Sequence, residues 1–226
     1  MRVLALSLIA SVSVFAGICD EVNLREHFPL MPEGVKIVSK QERFGLCELL
    51  IKGAGGGFFT IYAGKDFAIA GAMVSKGINL SQESILKAQR EEIKRILPEI
   101  EKLGIKEGSG EKVVYMISDP ECPYCEGIKK KAYELAKERG WAISLVWFPI
   151  KPTSQEKVMS FVCEKRGWKD YLAGSYGTSK CEEGIQYIAR SREVLDGIVS
   201  GTPTFILSTG EVIGGANLKA LEEKLK

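Results

Sequence analysis

Val113-Val114-Tyr115-Met116-Ile117-Ser118-Asp119-Pro120-Glu121-Cys122-Pro123-Tyr124-Cys125 runs from an apolar strand pattern, through a turn, into a cysteine pair. A helical pattern follows over residues 126–139. A Cys-x-x-Cys that opens a helix just after a buried strand reads as a thiol–disulfide redox site. Unpaired N–H groups and the dipole at a helix start stabilise a thiolate on Cys122. Cys125 lies one turn on, close enough to close a disulfide. Three acids, Asp119, Glu121 and Glu126, oppose a further negative charge there. Pro123 also removes one N–H that could have served the sulfur. These effects pull against each other.

Zinc is the competing use of such a pair, and a structural zinc site needs four ligands. There is no second close cysteine pair, and the sole histidine, His27, is remote in sequence. Neither a metal nor a Cys–His catalytic pair is expected, and nothing in the sequence asks for a cofactor.

Downstream of the pair, residues 142–148 form a second apolar run. Strand, helix and strand with near-continuous apolar strands predict parallel pairing across the helix. Helical segments are expected over 154–166, 168–173, 180–190 and 191–198. Residues 204–207 and 212–213 flank the turn Ser208-Thr209-Gly210-Glu211. A last helix carries Leu218, Leu221 and Leu225 on one face.

Upstream, residues 20–79 read as a small α+β unit. Residues 20–28 predict a short helix, with strands at 35–39, 46–51, 58–62 and 67–74. The glycine run 53–57 lacks the Lys-Ser/Thr of a phosphate loop, and no helix follows it, so it reads as a hairpin loop. Ile85, Ile93, Ile96, Leu97, Ile100 and Leu103 recur at helical spacing over 81–103. Ser81 is the expected N-cap, and Pro98 is expected to kink or split the helix. Its place between two strand groups suggests a linker, the plainer alternative being a helix of one core.

The extreme N-terminus reads as an address. Arg2 precedes an uncharged apolar run, and Val14-Phe15-Ala16 offers a cleavage site after Ala16. An uncleaved anchor is the alternative, although the run is short for a span of ~20 residues. The chain has 226 residues, 45% of them hydrophobic, with 31 basic and 29 acidic side chains and a net charge of +2. This balance argues against nucleic acid as the main partner. Six cysteines in an exported chain favour disulfides, whose connectivity the sequence leaves open.

Cys122 to Cys125 after the first strand, Gly201-Thr202-Pro203 before a late hairpin, and the closing helix together resemble the thioredoxin fold. With the small upstream unit, long helix and helical insert, the chain is similar to the DsbC/DsbG-type periplasmic disulfide isomerases. The resemblance implies a two-domain α+β and α/β protein: signal peptide 1–16, dimerisation domain 17–79, linker helix 80–104 and thioredoxin-like catalytic domain 105–226. It implies Cys122 as nucleophile and Cys125 as resolving thiol. It places Pro203 at the family's cis-proline, with Thr202, Pro203 and Tyr124 facing substrate. Cys163 and Cys181 would close the helical insert as a structural disulfide, with two buried thiols as the alternative. Cys19 and Cys47 lie outside the match and form a candidate clamp.

The implied partners are misoxidised or unfolded proteins, a membrane-bound DsbD-like reductant and a second copy in a V-shaped homodimer. The implied activity is that of an exported protein thiol:disulfide isomerase or reductase. A DsbG-like reductase of oxidised single cysteines and a redox-silent holdase chaperone are the alternatives. Cys-Pro-Tyr-Cys matches the DsbG-like branch. Thioredoxin carries a buried Asp six residues before its first active cysteine, where this chain has Met116.

Overall fold

The computed structural model describes residues 17–226, so the expected signal peptide lies outside the described residues. The chain divides into two compact units. The first runs through Ala54 and resumes over Phe59–Ser81; the second comprises Gly55–Phe58 and Gln82–Lys226.

The first unit begins with two short helices, α1 (Ile18–Glu21) and α2 (Leu24–His27), where one was expected. Asn23 separates them and caps the second, its side chain accepting the Arg25 N–H. A four-stranded sheet follows in the order β1 (Lys36–Arg43), β2 (Leu46–Lys52), β3 (Phe58–Ala63), β4 (Ala68–Ala70). β1 runs four residues past its expected end. Lys40 to Arg43 carry no apolar signal because this edge strand is exposed, yet they pair in register with β2. Phe44 and Gly45, both at positive φ, make the two-residue turn that fixes this register.

Leu49, Ile51, Ile61 and Ala63 build the small core with Val22 and Leu24. The opposite face of β2 carries a buried carboxylate, Glu48. It accepts from Gln41 Nε2 at 2.6 Å and Tyr62 Oη at 2.9 Å, and pairs with Arg43 Nε at 3.1 Å. The run expected as one strand over 67–74 stops at Ala70. A separate ribbon, β5 (Val74–Ser75) with β6 (Ile78–Asn79), turns through Lys76 and Gly77 at positive φ.

Helix α3 (Leu80–Leu103) is continuous through Pro98. Proline removes only one ladder donor, and burial of Ile93, Ile100 and Leu103 in the second unit's core holds the turns on either side. The segment expected as a linker therefore also carries core side chains. Ser81 lies inside the helix rather than capping it. Its hydroxyl accepts the Met73 N–H at 2.7 Å and pairs with Tyr62 Oη at 2.6 Å.

The second unit adds β7 (Ile105–Glu107), β8 (Val113–Ser118), α4 (Pro123–Glu138) and β9 (Ala142–Trp147). Next come α5 (Pro152–Cys163), α6 (Trp168–Leu172) and α7 (Glu182–Leu195). β10 (Thr204–Leu207), β11 (Val212–Gly214) and α8 (Leu218–Lys224) complete it. The sheet order is β11-β10-β8-β9-β7; β8 and β9 are parallel across α4, and the other pairs are antiparallel. Three-residue β7 is too short to have a sequence signal. α7 is one helix where two segments were expected, because buried Ser191 donates its hydroxyl to the Trp147 carbonyl.

Both faces of this sheet are covered. Val114 and Met116 face a core shared with Ile128, Ala132, Phe161, Trp168 and Tyr171. Val113, Tyr115 and Ile117 face the core that contains the α3 side chains. The period-two alternation of β8 separates the two cores and leaves Ser118 on the Met116 side.

Candidate active site

Cys122 is the N-cap of α4 and Pro123 its first helical residue. Proline is suited to that position, where an N–H would have no helical partner anyway. The cost feared from Pro123 is absent, because the Cys125 N–H reaches the Cys122 sulfur at 3.3 Å. The Cys122 thiol in turn donates to the Thr202 carbonyl at 3.2 Å. Sheet register makes that second contact: Thr204 of β10 pairs with Ile117 of β8, so the chain just before β10 lies beside the start of α4. The Thr202–Pro203 peptide is cis.

Cys122 is half-buried and Cys125 fully buried, both as free thiols. Tyr124 between them is 69% exposed and stands outward from the motif. Burial pushes the Cys125 thiol up to about 12, and the neighbouring Cys122 sulfur adds to the rise. Cys122 is therefore the more accessible sulfur of the pair, while Cys125 is held back as a thiol.

The acids around the motif are occupied. Asp119 is buried and accepts from Glu121 N at 2.7 Å, Ser154 Oγ at 2.8 Å and Ile150 N at 2.7 Å, which pins the turn before Cys122 to the segment entering α5. Glu121 accepts from Thr153 Oγ1 at 2.7 Å and pairs with Lys157 at 3.1 Å. These two partners hold its carboxyl below the usual range. Glu126 pairs with Lys129 at 2.6 Å and accepts from Tyr176 Oη at 3.0 Å. Lys129 is itself buried, and its ammonium also donates to the Tyr171 carbonyl at 2.8 Å.

The remaining cysteines lie apart from the motif. Cys163, at the end of α5, is bridged to Cys181, the N-cap of α7; Cys19 is bridged to Cys47 in the first unit. Among the described residues no group of three or more His, Cys, Asp or Glu side chains could hold a metal ion. Sequence reading missed Asp119 as a pin, and missed Ser118, Lys129 and Tyr171 entirely. None of the four has a local signature, since each acts through partners on another element.

The thioredoxin-like domain model matches residues 101–226. A probable thiol:disulfide interchange protein DsbC of Bordetella pertussis is 24% identical over 115 residues, 48% of this chain and 39% of that protein. A protein of the same name in Bordetella parapertussis gives the same figures. The match thus spans about two fifths of the length of these curated relatives. Among solved structures, the catalytic domain of Proteus mirabilis ScsC is 13% identical, with a TM-score of 0.51, over 60% of this chain and 97% of that one. The thiol-disulfide exchange protein alpha-DsbA2 of Wolbachia pipientis is 18% identical, with a TM-score of 0.51, over 63% and 96%. At these identities the two structures speak to the fold alone. With more than half its length matched by the family model, the chain belongs to the thioredoxin-like family.

Proposed function

We propose that the protein is a thiol–disulfide oxidoreductase that attacks disulfides in other proteins through Cys122. The observation that carries this reading is the state of the six cysteines. Four are bridged, while the two at the start of α4 are free thiols, one half-exposed and one buried. Cys122 as thiolate attacks a substrate disulfide, and one substrate sulfur leaves while the other joins Cys122. Cys125 then displaces that substrate sulfur and closes the Cys122–Cys125 disulfide. If the substrate rearranges first, Cys122 is released reduced and the net reaction is isomerisation. The Thr202 carbonyl, now occupied by the thiol, becomes an acceptor for the backbone of an extended substrate segment.

The finer reading is an isomerase and reductase of misoxidised proteins in the periplasm, kept reduced by a membrane-bound DsbD-like protein and paired as a homodimer through the first unit. Two disulfides outside the motif support an oxidising compartment. Among the described residues no helix is long and apolar enough to cross a membrane. Exposed Ile37 and Val38 on edge strand β1, with Phe44 at its turn, support a paired first unit.

The test is refolding of a scrambled multi-disulfide protein by the full chain, with Cys122→Ala beside it and the mass in solution measured. Recovery of native pairing that is lost in Cys122→Ala supports the reading. Ready reduction of disulfides with no recovery of native pairing removes the isomerase. Aggregation suppression retained by Cys122→Ala, with no redox turnover in either protein, leaves a holdase.

A further inference from the structure

A file of tyrosine and tryptophan rings crosses the core beneath the motif. Tyr176 lies 6.0 Å from Trp147, centroid to centroid, and Trp147 lies 5.1 Å from Tyr171. Tyr171 is 5.5 Å from Trp168, and Trp168 is 5.4 Å from Tyr133. Cys125 is buried in the same core, and Cys122, Tyr133 and Tyr176 pack against it.

Ring contacts of this kind also serve plain packing. The hydrogen bonds along the file separate the two uses. Both terminal hydroxyls donate to carboxylates, Tyr176 to Glu126 at 3.0 Å and Tyr133 to exposed Glu107 at 3.3 Å. Among the described residues no carboxylate bonds the interior rings. Tyr171 Oη pairs with the Ser118 hydroxyl at 2.7 Å, and Trp168 Nε1 donates to the Ile105 carbonyl at 2.8 Å. The buried Trp147 Nε1–H has no partner among the described residues, whereas buried polar groups are normally bonded.

A phenol that loses an electron becomes a strong acid, and it settles as a neutral radical only when a base takes its proton. An indole whose N–H meets no base keeps its proton, stays a strong oxidant, and takes an electron from the next ring. The interior rings therefore pass an oxidising equivalent on, and the terminal tyrosines hold it. The two ends are unequal. Glu126 is paired with Lys129 at 2.6 Å, and that ammonium weakens it as a base. Glu107 stands in solvent beside Tyr133, so the outer end is the sink.

We propose that Tyr176, Trp147, Tyr171, Trp168 and Tyr133 form a relay that carries a one-electron oxidising equivalent away from the cysteine pair to Tyr133, so that a radical oxidant is quenched there and the thiols are spared. This function is separate from thiol–disulfide exchange. A carbonate radical anion that reaches half-buried Tyr176 takes one electron from it, and the phenolic proton moves to Glu126. Trp147 returns an electron to Tyr176, which regains that proton. Tyr171 then refills Trp147, Trp168 refills Tyr171, and Tyr133 refills Trp168. The proton of Tyr133 passes through Glu107 to solvent, and the carbonate formed takes up one proton to become bicarbonate. A diffusible thiol donates a hydrogen atom to the Tyr133 radical. The oxidant is reduced, the diffusible thiol is oxidised to a thiyl radical, and the rings and both cysteines end unchanged.

The experiment attaches a ruthenium photo-oxidant to Cys122 of the full-length chain through an iodoacetamide and fires it by laser flash with a soluble electron acceptor. A nitroso spin trap captures the protein radical, and peptide mass spectrometry places the adduct. In the unsubstituted chain the adduct is expected on Tyr133. Trp168→Phe, which keeps a ring that resists oxidation, is expected to lose the Tyr133 adduct and strand it on Tyr171 or Tyr176. Glu107→Gln, on the surface, is expected to lower the Tyr133 yield without moving the thermal unfolding midpoint. Tyr133→Phe is expected to raise oxidation of Cys125. A Tyr133 adduct at the unsubstituted yield in Trp168→Phe overturns the proposal. So does an adduct confined to Tyr176 in the unsubstituted chain. An unchanged Tyr133 yield in Glu107→Gln overturns it as well, because the sink then works without its base.

Discussion

The Cys122 sulfur lies 3.2 Å from the carbonyl oxygen of Thr202, a residue 80 positions away in the chain. Only the pairing of β10 with β8 brings them together. Under the proposed function the contact sets an order of events, because a substrate backbone taking the Thr202 carbonyl as its acceptor would displace the Cys122 thiol from it. The half-buried Cys122 sulfur would then be freed as substrate docks.

The asymmetry of the two sulfurs is directly measurable. Cys122 is half-buried, whereas Cys125 is fully buried with its thiol pushed up to about 12. Because the thiolate is the reactive form, brief iodoacetamide treatment of the reduced protein at neutral pH is expected to label Cys122 at least ~100-fold faster than Cys125. Peptide mass spectrometry after quenching gives the ratio. Comparable labelling of both in the folded protein would contradict the buried site.

Removing the Cys163–Cys181 bridge through a double alanine substitution is expected to cost ~3 kcal/mol in the chain-entropy model for a loop of this length. The bridge spans 18 residues and ties α5 to the start of α7. Denaturant unfolding measures the loss. An unchanged midpoint would mean that packing alone holds the insert.

Glu164 serves the same insert electrostatically. Its carboxyl is lowered to about 2, first by the Thr178 N–H, then by the Ser179 hydroxyl and by Arg166. A folded value below the unfolded one, ~4.3, stabilises the folded state above that pH and ceases to do so as pH falls through about 2. Acidification is therefore expected to loosen residues 174–181 before the rest of the second unit. Carbon NMR titration of Glu164 checks this, and a midpoint in the ordinary carboxylate range would refute it.

Phe161 anchors the aromatic cluster under the site. Its ring lies 5.1 Å from that of Trp147, which is in turn 5.1 Å from Tyr171. Phe161→Ala is expected to cost 3–5 kcal/mol, roughly the usual loss for a fully buried aromatic. Thermal unfolding reads the loss; a change below ~1 kcal/mol would mean that the cavity collapses.

The redox motif was legible because its signal is local. Strand, turn, Cys122 and helix are consecutive, and Pro123 suits the first helical position. The near-continuous apolar run of β8 likewise announced a strand buried on both faces. The end of β1 was not legible, because Lys40 to Arg43 are held by pairing with β2 rather than by burial. Ser81 looked like a cap and became an internal bridge, since Tyr62 and Met73 compete for its hydroxyl. The acids near Cys122 looked like an electrostatic obstacle, but Lys157 beside Glu121, Tyr176 beside Glu126, and Ile150 and Ser154 beside Asp119 arrive from elsewhere in the chain.

By itself, then, the sequence determined where the reactive pair sits and which way its helix runs, because capping and periodicity act within a turn or two of chain. Tertiary structure alone decided which cysteines bridge, which carbonyl meets Cys122 and which side chains bury Cys125. Those contacts join residues far apart in the chain. Sheet register and the packing of α6 against β8 place them, and neither can be read from a local pattern.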